Sequence, residues 1–161
     1  MTPATIPATR PARFFYLAAS ALCILVFIGH SVAIVQSAHA SPQDDVHAQI
    51  LRSLETYPLQ FPGRTRTFME IHTGFSWHYG FSYLLLACAA LILYPRARAD
   101  RSLLRLVALV CTLSSLVSAA ISYRYFFSFP TSASLTILAL FGCAAMCTLG
   151  TSTSSSSSTS P

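Results

Sequence analysis

Residues 14–35 read FFYLAASALCILVFIGHSVAIV, a run of 22 without a formal charge. As a helix rising ~1.5 Å per residue it is about 33 Å long, enough to cross the ~30 Å hydrocarbon core of a bilayer. The rest of the chain agrees with that solvent. Apolar residues make up 53% and charged residues 9% of its 161 positions, where a soluble domain carries about 25% charged residues. A soluble protein this poor in charge would leave large apolar surfaces in water.

Three more apolar runs follow. Ile71–Tyr94 holds no carboxylate or Arg, and 18 uncharged residues lie between Arg105 and Arg124 and again over Ser132–Leu149. The predicted helices are about 14–35, 71–94, 103–125 and 132–149. The third gains length if Arg105 snorkels its guanidinium to the interface. Pro95 is expected to close the second helix and Pro130 to part the third from the fourth, since proline lacks an N–H and disfavours helical angles before it. Residues 1–13 form a polar, Pro-rich lead. Residues 150–161, almost all Ser and Thr, form a low-complexity tail that cannot bury a core. The outer loop is 36–70. Within it residues 43–57 suit a short amphipathic helix, with Val46, Ile50 and Leu54 at spacing four, and 58–63 breaks it.

The fold class is thus all-α, a four-helix transmembrane bundle. All ten basic residues are Arg. Six fall on the side of the lead and loop 95–105 (Arg10, Arg13, Arg96, Arg98, Arg101, Arg105). Four fall opposite (Arg52, Arg64, Arg66, Arg124). The positive-inside bias then places both termini in the cytoplasm of a multi-pass inner-membrane protein. Against a retained first helix stands the Ala38-His39-Ala40 sequence, which has the form of a signal-peptidase site. A signal peptide's apolar core is usually about 7–15 residues, and this one is longer.

The Arg residues are too dispersed for a nucleic-acid footprint, so no nucleic-acid partner is expected. The partners are the lipid bilayer and, as the open class, a second copy of the chain or another membrane protein. Cys23, Cys88, Cys111, Cys143 and Cys147 lie in apolar runs without metal-type spacing. No nucleophile motif, phosphate loop or dinucleotide fingerprint occurs. Small residues repeat at spacing four or three as packing seams: Gly29, Ala33 and Ser37; Cys111, Ser115, Ser118 and Ser122; Cys143 and Cys147.

The densest chemistry is at 63–78. Thr67 followed three residues on by Glu70 is a capping-box pattern. Glu70, Gly74 and His78 share a helix face, and Gly74 leaves room there for a backbone or ligand. His30 and His78 each fall in the outer third of a span. The candidate polar site is therefore His30, Arg66, Glu70, Gly74 and His78, because ionisable groups within a membrane are costly to keep. No catalytic residue, metal or cofactor is assigned. The alternative is a redox protein in which His30 and His78 ligate haem b or a metal. A further alternative is a small-molecule binder or carrier, acting as an oligomer, with its polar site at Glu70. The leading reading is a non-enzymatic structural or accessory membrane protein.

The segment Gly63-x-x-Arg66-Thr67-Phe68-Met69-Glu70-x-x-x-Gly74-Phe75-Ser76, with Gly29-His30 before it, resembles the signature of a family of small bacterial four-helix membrane proteins. Those proteins more often carry Asp where Glu70 stands. The resemblance spans about residues 14–150. It implies the four-helix architecture and a retained first helix, and brings no activity with it.

Overall fold

The computed structural model describes residues 6–125 and 128–149. The chain is predominantly helical, with α1 (Arg10–Ala38), α2 (Asp45–Thr56), β1 (Pro58–Phe61), β2 (Arg64–Thr67), α3 (Phe68–Ala97), α4 (Arg101–Tyr125) and α5 (Ser128–Met146). The helices α1, α3 and α4 are each long and apolar enough to cross a membrane, and α5 is a shorter apolar helix. Two compact units divide the chain: residues up to Cys23 together with those from Leu86 onward, and Ile24–Leu85.

In the first unit the buried positions recur at steps of three, four or seven. They are Ala12, Tyr16, Ala19 and Cys23 on α1; Ala87, Ala90 and Ala97 on α3; Leu104, Ala108, Cys111, Ser115, Ala119 and Ser122 on α4; Ser134, Ile137, Phe141 and Ala144 on α5. That is the seam spacing of helices packed at shallow angles. Small residues dominate it, and large ones (Leu106, Val110, Leu113, Val117) point outward. The α4 and α5 helices pack together, with Gly142 against Thr112. These two positions are nearly equidistant from the 125–128 connection, so the pair is an antiparallel hairpin.

The bulkiest fully buried side chain is Tyr16. Its hydroxyl donates to the Ala90 carbonyl (2.8 Å), its ring stacks on Tyr94, and the Phe141 ring meets it edge-on. One side chain of α1 thereby joins α3 and α5. The buried Ser20, Ser115 and Ser134 each donate to the carbonyl four residues earlier in their own helix. Their polarity is satisfied locally, so these hydroxyls pack as small groups.

Helix ends depart from the sequence expectation, for identifiable reasons. The start of α1 is Arg10, because Thr9 caps it: the Thr9 hydroxyl accepts from the Ala12 N–H and donates to the Cys147 carbonyl. Pro11 is harmless in a first turn, where its N–H would be unpaired anyway. Within the expected lead, residues 6–9 are tied to the connection between α3 and α4. The Ala8 N–H donates to the Arg98 carbonyl, and the Arg101 N–H donates to the Ile6 carbonyl. Pro95 does not end α3, which continues to Ala97. A single lost bond one turn from the end is tolerable, and the Arg98 N–H resumes the ladder at the Tyr94 carbonyl. Pro130 does not separate α4 from α5; it lies in the first turn of α5, where proline is accepted.

Two expected seams are absent. Gly29, Ala33 and Ser37 are exposed, with nothing near Gly29. Cys143 is exposed and Cys147 half-buried; Phe141, Ala144 and Ala145 take the inner face instead. Position 150 onward, the expected tail, lies outside the described residues.

The second unit holds the remaining halves of α1 and α3 with α2 and a β-hairpin between them. Asp44 caps α2 by accepting from the His47 N–H (2.7 Å). The hairpin is antiparallel, pairing Phe61 with Arg64 around Pro62-Gly63. Gly63 has φ +78°, which fits the third position of a type II turn and disfavours residues with a Cβ. The loop 36–70 is therefore mostly regular structure.

Replacing Tyr16 by Phe removes one buried interhelical hydrogen bond. It should lower stability in detergent by about 0.6–1 kcal/mol, read as a shift in the unfolding midpoint.

Asp100 caps α4. Hydrogen bonds from the Ser102 hydroxyl first, and from the Leu103 and Ser102 amides, hold its carboxyl below the ordinary carboxylate value. A pKa lower in the folded than in the unfolded chain makes the contribution full above the unfolded value, ~3.9, and lost as pH falls through the folded one. The stability gap between the parent and Asp100→Ala should be present near neutrality and narrow below about pH 4.

Candidate functional site

The start of α3 is set by a reciprocal pair. The Thr67 hydroxyl accepts from the Glu70 N–H (3.2 Å), and Glu70 Oε2 accepts from the Thr67 N–H (2.9 Å). This is the capping box that the spacing suggested, closed in both directions. The other carboxylate oxygen, Oε1, lies 3.3 Å from Arg66 Nη1, and both side chains are about half exposed. An ion pair this open to solvent adds little by itself. It does orient Glu70 toward the end of the hairpin, where Thr67 is both the last residue of β2 and the cap of α3.

A cleft of about 510 Å³ opens beside this cap, lined by Glu55, Thr67, Met69, Glu70, Thr73, Gly74 and Trp77. Its walls come from the end of α2 and the first turns of α3. Gly74 has no neighbour within 4 Å of where a Cβ would stand. It therefore opens the cleft and makes no close backbone contact.

His30 belongs to a separate contact. Its Nε2 donates to the Ser76 carbonyl (2.8 Å), and its ring meets Tyr79 edge-on. A Cβ on Gly80 would approach His30 Cδ2 to 3.1 Å, so Gly80 is the glycine that admits the imidazole. The Phe27–Phe81 ring pair lies beside it. Tyr79 and Tyr83 continue the polar strip through their hydroxyls, 3.0 Å apart. Sequence periodicity had pointed to Gly74. The usable signal for Gly80 is its spacing of four from Ser76, which depends on knowing which face of α3 meets α1.

His78 is exposed. It lies about 200° around the helix from Ser76, away from the strip that holds His30. The structure thus brings together Arg66, Glu70 and Gly74, places His30 with Ser76 and Gly80, and leaves His78 apart from both. The paired axial arrangement of His30 and His78 is not formed. Among the described residues no group of three or more His, Cys, Asp or Glu is placed to hold a metal ion. No family model, curated protein or solved structure matches the chain.

The two glycines should respond differently to alanine. Gly80→Ala needs His30 to yield by a few tenths of an ångström, so it should be less favourable than Gly74→Ala, by about 1 kcal/mol. Gly74→Ala meets nothing and should be neutral or stabilising by up to ~1 kcal/mol through helix propensity. Thermal unfolding of both variants in one detergent checks the contrast.

Proposed function

We propose that this chain is a multi-pass inner-membrane protein, a four-helix transmembrane bundle with both termini cytoplasmic, serving as a non-enzymatic structural or accessory component. One observation carries the reading: the chain is apolar outside and small or polar inside. Leu25, Ile28, Val32, Val35, Leu85, Ile92 and Leu113 are exposed, while Ala, Ser and Cys fill the seams. In water that distribution would drive aggregation; in lipid it is the stable one.

The shorter α5 fits the same scheme. Pro130–Met146 has 17 residues, at the lower limit of about 17 for a spanning helix. Its antiparallel pairing with α4 supports a fourth crossing. A retained first helix is supported by Tyr16, since cleavage after Ala40 would remove the residue around which the first unit packs. The likeness to small bacterial four-helix membrane proteins points the same way.

A second reading has its own observation. The open cleft beside the cap is lined by Glu55, Met69, Glu70 and Trp77, so a small-molecule binding or carrier role, acting as an oligomer, would have its polar site at Glu70. The haem reading has no comparable support, because His30 and His78 face different directions.

Alkaline carbonate should leave the expressed chain in the membrane pellet; release into the supernatant would overturn the proposal. A fluorescent protein that matures only in the cytoplasm, fused after Pro161, should be bright. A dark fusion with intact membrane insertion would overturn the cytoplasmic placement of the carboxyl terminus.

A further inference from the structure

The amphipathic α2 helix has no buried residue. Val46, Ile50 and Leu54 fall on one face, with Leu51 and His47 beside them, over an arc of about 140°. Leu51 and Leu54 are half-buried, whereas Val46 and Ile50 are 66% and 52% exposed. The opposite face carries Asp45, Gln49, Arg52 and Glu55. Such a segregated helix is stable only when its apolar arc is covered. Within the protein it is covered on one edge alone.

The chain on either side says what covers the rest. Helix α1 ends at Ala38 and α3 begins at Phe68, both equally far along their helices from the His30–Ser76 bond. Because α1 and α3 run antiparallel there, the two ends emerge at one level. Residues 39–44, which lead into α2, reach about 20 Å when fully extended. On the other side the hairpin returns the chain directly to Thr67, the cap of α3. The helix is therefore held at both ends to the plane where two apolar helices leave the bilayer. The exposed Tyr57, Phe61 and Phe68 flank it, as aromatic side chains do at a membrane surface.

From this we infer that α2 lies in the plane of the outer membrane surface, with Val46 and Ile50 in the boundary between lipid headgroups and acyl chains. The inference rests on the membrane reading proposed above and adds the lipid surface as a specific binding partner of α2. Helices of this kind sit about 5–10 Å into that boundary. The formal charges of Asp45, Arg52 and Glu55 do not give α2 a basic face. Its attachment then comes from apolar area and from the two tethers, and should not require anionic lipid.

The chain has a single tryptophan, Trp77, so tryptophan scanning in a Trp77→Phe background reads position directly. Full-length Val46→Trp, Ile50→Trp, Gln49→Trp and Leu85→Trp variants are reconstituted into vesicles of zwitterionic lipid. Emission is quenched with iodide in water and with lipids brominated high or low on the acyl chain. Val46→Trp and Ile50→Trp should emit at shorter wavelength, lose most intensity to the shallow bromines and resist iodide. Gln49→Trp should be quenched by iodide, and Leu85→Trp by the deeper bromines. Added anionic lipid should leave the pattern unchanged. Iodide quenching of Val46→Trp and Ile50→Trp, with Leu85→Trp still quenched by bromolipid, overturns the inference and leaves the membrane reading standing. Shielding from both quenchers overturns it in favour of a protein partner on α2. Failure of bromolipid to quench Leu85→Trp overturns both.

Discussion

Hydrocarbon gives one apolar helix no reason to prefer another over lipid, so contact between helices rests on how closely their backbones approach. In the membrane setting proposed above, that constraint accounts for the first unit. Alanine, serine and cysteine occupy most inward positions of α1, α3 and α4, and their small volumes permit broad dispersion contact along each seam, while Leu104, Ile137 and Phe141 add bulk on α4 and α5. Tyr16 is the bulkiest of the large side chains buried among them. It fills the space the small residues leave, and its hydroxyl finds the Ala90 carbonyl, so a polar group is brought into the interior without being left unpaired. The serines follow the same economy by bonding back to their own helices.

The second unit answers a different demand. Here the chain must leave one helix, cross the surface and start the next without stranding backbone donors. Each start is capped by a side chain: Asp44 for α2 and the Thr67–Glu70 pair for α3. The hairpin satisfies the intervening backbone with its own ladder, and Gly63 supplies the positive φ that the turn requires. Glu70 thereby holds three roles at once: helix cap, partner of Arg66 and wall of the cleft. Its capping role is closed in both directions, which makes the cap the first explanation for a carboxylate at this position.

The histidines show how structure and chemistry separate residues that look alike in sequence. His30 is anchored by the Ser76 carbonyl and admitted by Gly80, so it works as an interhelical tie. His78, two residues from Ser76, is turned to the outside. Depth alone would pair the two imidazoles; the turn of about 200° from Ser76 to His78 divides them.

Much was legible in the amino-acid order. Four apolar stretches, the amphipathic stretch that became α2 and the capping box at Thr67–Glu70 are local patterns, set by side-chain solvation and by hydrogen bonds within one turn. The caps at Thr9 and Asp100 were equally local but hidden beside prolines and arginines. What the tertiary structure alone decided is which face of each helix meets another. Gly29, Ala33 and Ser37 have the spacing of a seam and stay exposed, while Ser76 and Gly80, at the same spacing, receive His30. Periodicity identifies residues that share a face; it carries no information on the rotation of that face about the helix axis. In lipid that rotation is chosen by the fit of facing side chains, which exists only once the helices are side by side.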